Sequence, residues 1–88
     1  MDTRMAEPTT VGEILREEFM APSALSLDDL AEYVGISIDR LVGILSNTFP
    51  LSDDDAERLG EYFGTGGDFW QKLRDSHLRW RERMANAN

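Results

Sequence analysis

The feature that most constrains this chain is its punctuation. Thr10, Ser26, Ser37 and Ser52 each stand where apolar residues at helical spacing begin, and Pro22, Gly35 and Gly64 stand where that spacing stops. A Ser or Thr hydroxyl at such a position accepts a hydrogen bond from a backbone N–H that the helix leaves unpaired. Glycine enters the left-handed conformation that ends a helix, and proline cannot continue one. The marks cut the chain into short segments, and helices this short are marginal in water unless they pack on one another.

Each segment carries a face for that packing. Thr10, with Glu13 three residues on, reads as a capping box. Val11, Ile14, Leu15 and Phe19 follow as the apolar side of a helix that Pro22 ends. Ser26 caps a second helix with Asp28 and Asp29 at its positive end; Leu27, Leu30, Ala31 and Val34 face inward, and Gly35 stops it. Ser37 caps a third, with Leu41, Ile44 and Leu45 inward. Asn47–Pro50 reads as a loop. Ser52 caps a fourth helix, whose Asp53, Asp54 and Asp55 suit the helix dipole and whose apolar side is Ala56, Leu59, Tyr62 and Phe63. A fifth begins near Gly67 or Asp68. Its Trp70, Leu73, His77, Trp80 and Met84 form one narrow stripe, the pattern of a helix packed on one neighbour or on its own twin. No segment alternates with period two. The expected class is all-α, five helices, with residues 1–9 a flexible tail, 10–85 the folded domain and 86–88 a second tail.

Charge and composition remove several functions. There is no cysteine, and the single His77 cannot make a metal site alone, so neither metal nor cofactor is expected. No run of about 18 apolar residues is present to span a membrane, and no apolar leader opens the chain, so a cytoplasmic protein is expected. No nucleophile–base pair or phosphate loop points to an enzyme. The net charge of −8 repels nucleic acid at long range and favours a basic protein partner. It is uneven: residues 67–88 hold Lys72, Arg74, Arg79, Arg81 and Arg83 against three acids. That cluster reads as a solvated face or as a contact for phosphate or an acidic partner.

The second and third segments carry the specific signal. Leu30, Ala31, Val34, Gly35, Ile36, Leu41 and Ile44 hold the spacing of a helix-turn-helix: a small residue where helices cross, a glycine turn, and an apolar residue filling the corner. Around it, "VGEILREEF" (11–19), "LSLDDLAEYVGIS" (25–37) and "AERLGEYFGTGGDFWQKL" (56–73) make the chain similar, over roughly residues 11–80, to HigA-type antitoxins. These are lambda-repressor-like (XRE) helix-turn-helix proteins, also called plasmid-maintenance antidote proteins. The resemblance implies a bacterial homodimer that neutralises HigB, a small basic RelE-like mRNA endonuclease, and that represses its own operon by binding operator DNA. Helix three would then be the recognition helix.

Candidate DNA contacts are Ser37, Ile38, Asp39, Arg40, Val42, Gly43, Ser46, Asn47 and Thr48; candidate dimer contacts are Trp70, Leu73, His77, Trp80 and Met84. The DNA side departs from the family. Leu27 stands where glutamine is usual, Ile38 where arginine is usual, and Asn47-Thr48-Phe49-Pro50 replaces Asn-Gly-Lys-Arg. Phosphate contacts supply much of the affinity for DNA, so operator binding is expected to be weak. Ile38, Val42 and Phe49 leave a second reading open: a protein-interaction module or orphan regulator that keeps the helix-turn-helix shape with weak or lost DNA binding.

Overall fold

The computed structural model describes residues 8–85; of the expected tails at 1–9 and 86–88, residues 1–7 and 86–88 lie outside the described residues. Five helices, and no strand, form among them. The first, α1, is α-helical over Val11–Ile14 and continues unbroken as a π-helical stretch, Leu15–Met20. Then come α2 (Leu27–Val34), α3 (Ile38–Leu45), α4 (Asp53–Phe63) and α5 (Gly67–Ala85).

The hydroxyl caps sit where the sequence placed them. Thr10, Ser26, Ser37 and Ser52 accept from the backbone N–H groups of Glu13, Asp29, Arg40 and Asp55 at 3.0–3.3 Å. The reciprocal half of a capping box forms at Ser52, whose N–H donates to the Asp55 carboxylate at 3.0 Å, rather than at Thr10. Gly35, with φ +75°, supplies the left-handed turn that lets α3 leave α2 at an angle. The π stretch has no counterpart in the sequence reading; the Ala21 N–H reaches back five residues to the Arg16 carbonyl at 2.9 Å.

Leu15, Leu30, Leu41, Ile44, Leu59 and Trp70 are the largest fully buried side chains, one or more from each helix. Ile36 fills the corner between α2 and α3. Leu51, read as lying past the loop, is buried too. Tyr62, assigned to the apolar side of α4, is instead exposed: it lies on the surface against Tyr33. The end of α1 is held by rings, with Phe19 at 4.7 Å from Phe63 and 5.0 Å from Trp70 between centroids. α5 packs chiefly on α4, and of its side chains only Trp70 is fully buried. Its indole N–H donates to the Thr65 hydroxyl at 2.9 Å.

Replacing Trp70 with alanine removes the largest core side chain and a paired indole. It is expected to lower unfolding free energy by about 3–5 kcal/mol, read from urea denaturation followed by circular dichroism.

Candidate nucleic-acid interface

The α2–turn–α3 unit presents α3 as a recognition helix. Leu41 and Ile44 turn into the core, while Ser37, Ile38, Asp39 and Val42 are exposed, Ile38 by 42% and Val42 by 48%. These four, with Ser46 and Thr48 at the C-terminal end of the helix, form the outward face that the sequence placed there. Its character is apolar and weakly acidic: side chains that can touch a thymine methyl or accept from a cytosine amine, with little for a phosphate.

Several candidates have other employment. Gly43 is buried, not outward: a Cβ there would lie 2.1 Å from the Phe49 ring, which covers the helix backbone at that point. It is therefore a packing residue rather than a base contact. The Asn47 side-chain oxygen accepts from the Gly12 N–H at 3.2 Å, tying the loop to α1 from a left-handed backbone position, φ +61°. The Ser46 hydroxyl donates to the Val42 carbonyl at 2.8 Å and pairs with that of Thr48 at 2.9 Å. Thr48 also bonds the Gly43 carbonyl at 3.3 Å. These groups close the end of α3 where the helix leaves carbonyls unpaired.

Arg40 is half-exposed and already engaged within the fold. Rather than standing free for DNA, its guanidinium is bonded to the buried Asp55 carboxylate and to the Pro50 carbonyl, the latter at 3.3 Å. The neighbouring aspartates act alike. Asp54 holds Arg58 at 2.8 Å, and Asp53 holds Arg74, also at 2.8 Å. Arg74 further bonds Asp75 at 2.9 Å and the Leu51 carbonyl at 3.1 Å. The three consecutive acids thus engage three arginines, in addition to their place in the dipole field of α4. Burial alone raises the pKa of Asp55, but hydrogen bonds from Arg40 and Ser52 outweigh it and hold the group below the usual carboxylate range. The same bond and charge push Arg40 upward.

Two other cations lie near the recognition helix. Arg81 of α5 lines a groove of about 280 Å³ with Thr48, Phe49 and His77, and Arg16 of α1 lines a hollow beside Asn47. Both are exposed. Arg81 belongs to the basic cluster of α5 that the sequence offers as a phosphate contact, whereas Arg16 is hidden by its sequence position, because α1 reaches the loop only in the folded chain. Among the dimer candidates, Trp70 is 0% exposed within one protomer and offers a partner no surface; it is a core residue. Leu73 is half-buried against the core. His77 and Trp80 lie ring to ring at 5.6 Å, and the Trp80 indole N–H is buried with no acceptor among the described residues. No group of three potential metal ligands, and no helix long and apolar enough to cross a membrane, occurs among the described residues.

No family model matches the chain. A helix-turn-helix transcriptional regulator of Haemophilus influenzae is 31% identical over 89 residues, which is 92% of this chain and 83% of the relative. In structure, the chain is similar to the antitoxin HigA of Pseudomonas aeruginosa solved with the higBA promoter. Identity there is 34% and the TM-score 0.86, over 91% of this chain and 87% of that one. An addiction module antidote protein of the HigA family from Coxiella burnetii is 30% identical with TM-score 0.86, over 93% and 89%.

Asp55→Asn preserves an acceptor for the Ser52 N–H while removing the charge. A carboxylate with a depressed pKa stabilises the fold fully above its unfolded value, about 3.9, and loses that contribution as pH falls through the folded value. The variant should therefore melt below wild type at pH 7, with the gap closing below about pH 4. Freed Arg40 should also steepen the salt dependence of duplex binding by about one per protomer. A slope identical to wild type would show that Asp55 does not restrain Arg40.

Proposed function

Because the chain belongs to the HigA family of helix-turn-helix antitoxins and regulators, we propose that it is a dimeric antitoxin and autorepressor whose hold on operator DNA is weak. Like its relatives, which are regulators and antitoxins, it is not an enzyme. The observation that carries the DNA reading is the exposed outer face of α3, held at the angle set by Gly35 and Ile36. Ser37, Ile38, Asp39 and Val42 are its base-facing residues, with Ser46 and Thr48 at the edge. Weakness follows from the ion pairs of the aspartate run. With Arg40 engaged, Arg16 and Arg81 are the cations beside α3, about four phosphate contacts per dimer.

The toxin reading rests on the family and on charge. A protein of net charge −8 complements a basic RelE-like toxin through fields that steer encounter and exclude like-charged partners. The dimer reading rests on the outward stripe of α5. His77, Trp80 and Met84 lie beyond the core and are only half-buried within one protomer, which leaves apolar edges that a second copy can cover. Repressors of this geometry place two recognition helices about one DNA turn, ~34 Å, apart. One observation favours the second reading: Ile38, Val42 and Phe49 form an exposed apolar ridge, which suits a protein contact better than a phosphate-lined groove.

Anisotropy titrations of duplex DNA at several salt concentrations separate the two. The autorepressor reading expects specific binding with a slope of about −4, and Ile38→Arg with Thr48→Lys should steepen it by about 4 per dimer. A slope near −8 in the unmodified protein would place the DNA surface elsewhere, and no specific binding at any salt would favour the interaction module.

Light scattering should give twice the 10.0 kDa chain mass, and Trp80→Ala should shift the particle to monomer at tens of micromolar. A wild-type monomer at that concentration overturns the dimer.

A further inference from the structure

Tyr33 of α2 and Tyr62 of α4 stack with centroids 5.5 Å apart and planes 20° from parallel, yet they remain 52% and 43% exposed. Large rings left at the surface ordinarily fold down onto apolar neighbours or scatter singly. These two instead form a platform, and it is braced from below. Tyr62 meets Phe63 edge to face at 4.9 Å, and Phe63 lies 4.7 Å from Phe19 in the aromatic cluster that closes the core. A braced ring loses little conformational freedom when something settles on it, which is why rigid exposed tyrosines anchor protein interfaces.

The surroundings state what can settle there. Glu32 precedes Tyr33 and Glu61 precedes Tyr62; both are exposed, and neither belongs to an ion pair among the described residues. Glu57 and Glu61, with the Asp54–Arg58 pair and Gly66 and Gly67, line a shallow hollow on α4. DNA and anionic membranes are repelled by such a face, and an apolar partner would strip water from carboxylates that Arg58, already bonded to Asp54, does not pair. A guanidinium fits both parts: its plane stacks on a tyrosine, and its edge donates two parallel hydrogen bonds to a carboxylate. Lysine can meet the charge but not the stacking geometry.

We propose that the Tyr33–Tyr62 platform and the carboxylates beside it are the docking surface for an arginine-bearing segment of a basic protein, the toxin of the antitoxin reading on which this identification rests. None of its residues belongs to α3, so the toxin and the operator meet separate residues of this chain.

Two measurements test it on the full-length protein. In the first, hexa-arginine amide is titrated into isotopically labelled protein, with hexa-lysine amide as the comparison. Ring signals of Tyr33 and Tyr62 and backbone signals of Glu32, Glu57 and Glu61 should shift most, with arginine binding tighter than lysine. Tyr33→Leu with Tyr62→Leu, and independently Glu57→Gln with Glu61→Gln, should weaken it about tenfold, while Glu17→Gln with Glu18→Gln, exposed on the first helix, leaves it unchanged. Tyr→Phe at both positions keeps the stack and should restore binding if the leucine variant proves unstable. Shifts spread evenly over all the acidic helices, or variants that bind as wild type, overturn the surface. In the second, a RelE-like protein encoded beside this chain is co-purified with it. Loss of the complex in the leucine and glutamine variants, with duplex binding retained, supports the proposal. A complex that survives both overturns the surface and leaves the antitoxin reading standing. Hexa-arginine binding at the tyrosines with no complex in wild type overturns the toxin as occupant.

Discussion

One carboxylate holds the functional half of this protein together. Asp55 closes the capping box of α4 through the Ser52 N–H and, from the same buried position, grips Arg40 of α3. The start of α4 and the recognition helix are thereby fastened to each other through a single side chain. Removing Arg40 would cost more than the pair contributes, because the buried Asp55 charge would be stranded away from water, while Arg40 itself is half-exposed. The orientation of α3, and with it the face available to DNA, is set partly by electrostatics and not by apolar packing alone.

The same fastening changes what the arginines are for. In a chain with nine basic residues, three sit in ion pairs with consecutive aspartates, and one of those three belongs to α3. Counterion release scales with the phosphates a protein neutralises, so cations engaged within the fold add little to it. In the proposed autorepressor, discrimination comes from the apolar and acidic face of α3, where methyl contacts and a cytosine amine are the available chemistry. On that reading the protein distinguishes sites by fit more than it accumulates on DNA.

How much of this was legible depends on the range of the interaction. The hydroxyl caps, the glycine stops, the corner residue Ile36 and the class of fold are local chemistry, and the sequence shows each at its place. The partners of Asp53 and Asp55 lie 21 and 15 residues away, on helices whose approach no spacing reveals. Only Asp54, four residues from Arg58, follows a helical rule. The covering of Gly43 by Phe49 leaves a trace, a glycine inside a helix, but helical spacing by itself puts that position outward. Trp70 falls in the α5 stripe because periodicity reports which side of a helix is apolar, and not whether its own chain or another covers it. The dimer stripe and the base-facing residues rest on that same one-sided information.

The π-helical stretch at Leu15–Met20 bears on how this chain tolerates change in length. A hydrogen bond spanning five residues takes up one residue more than the ordinary α-helical bond. It lets Leu15 and Met20 both meet the core, which an unbroken α-helix would set well apart in angle. Deleting one residue there need not open the backbone, since the turn can relax to α-helical bonding. The residues before and after the deletion would keep nearly their present angle, because a wide turn that loses one residue closes as an ordinary α-helical turn. Val11 and Gly12, against α3, and Phe19, against Trp70, would then stay seated together. A one-residue deletion is therefore better accommodated in this stretch than an insertion, and related chains can be expected to lose the π turn by dropping a single residue.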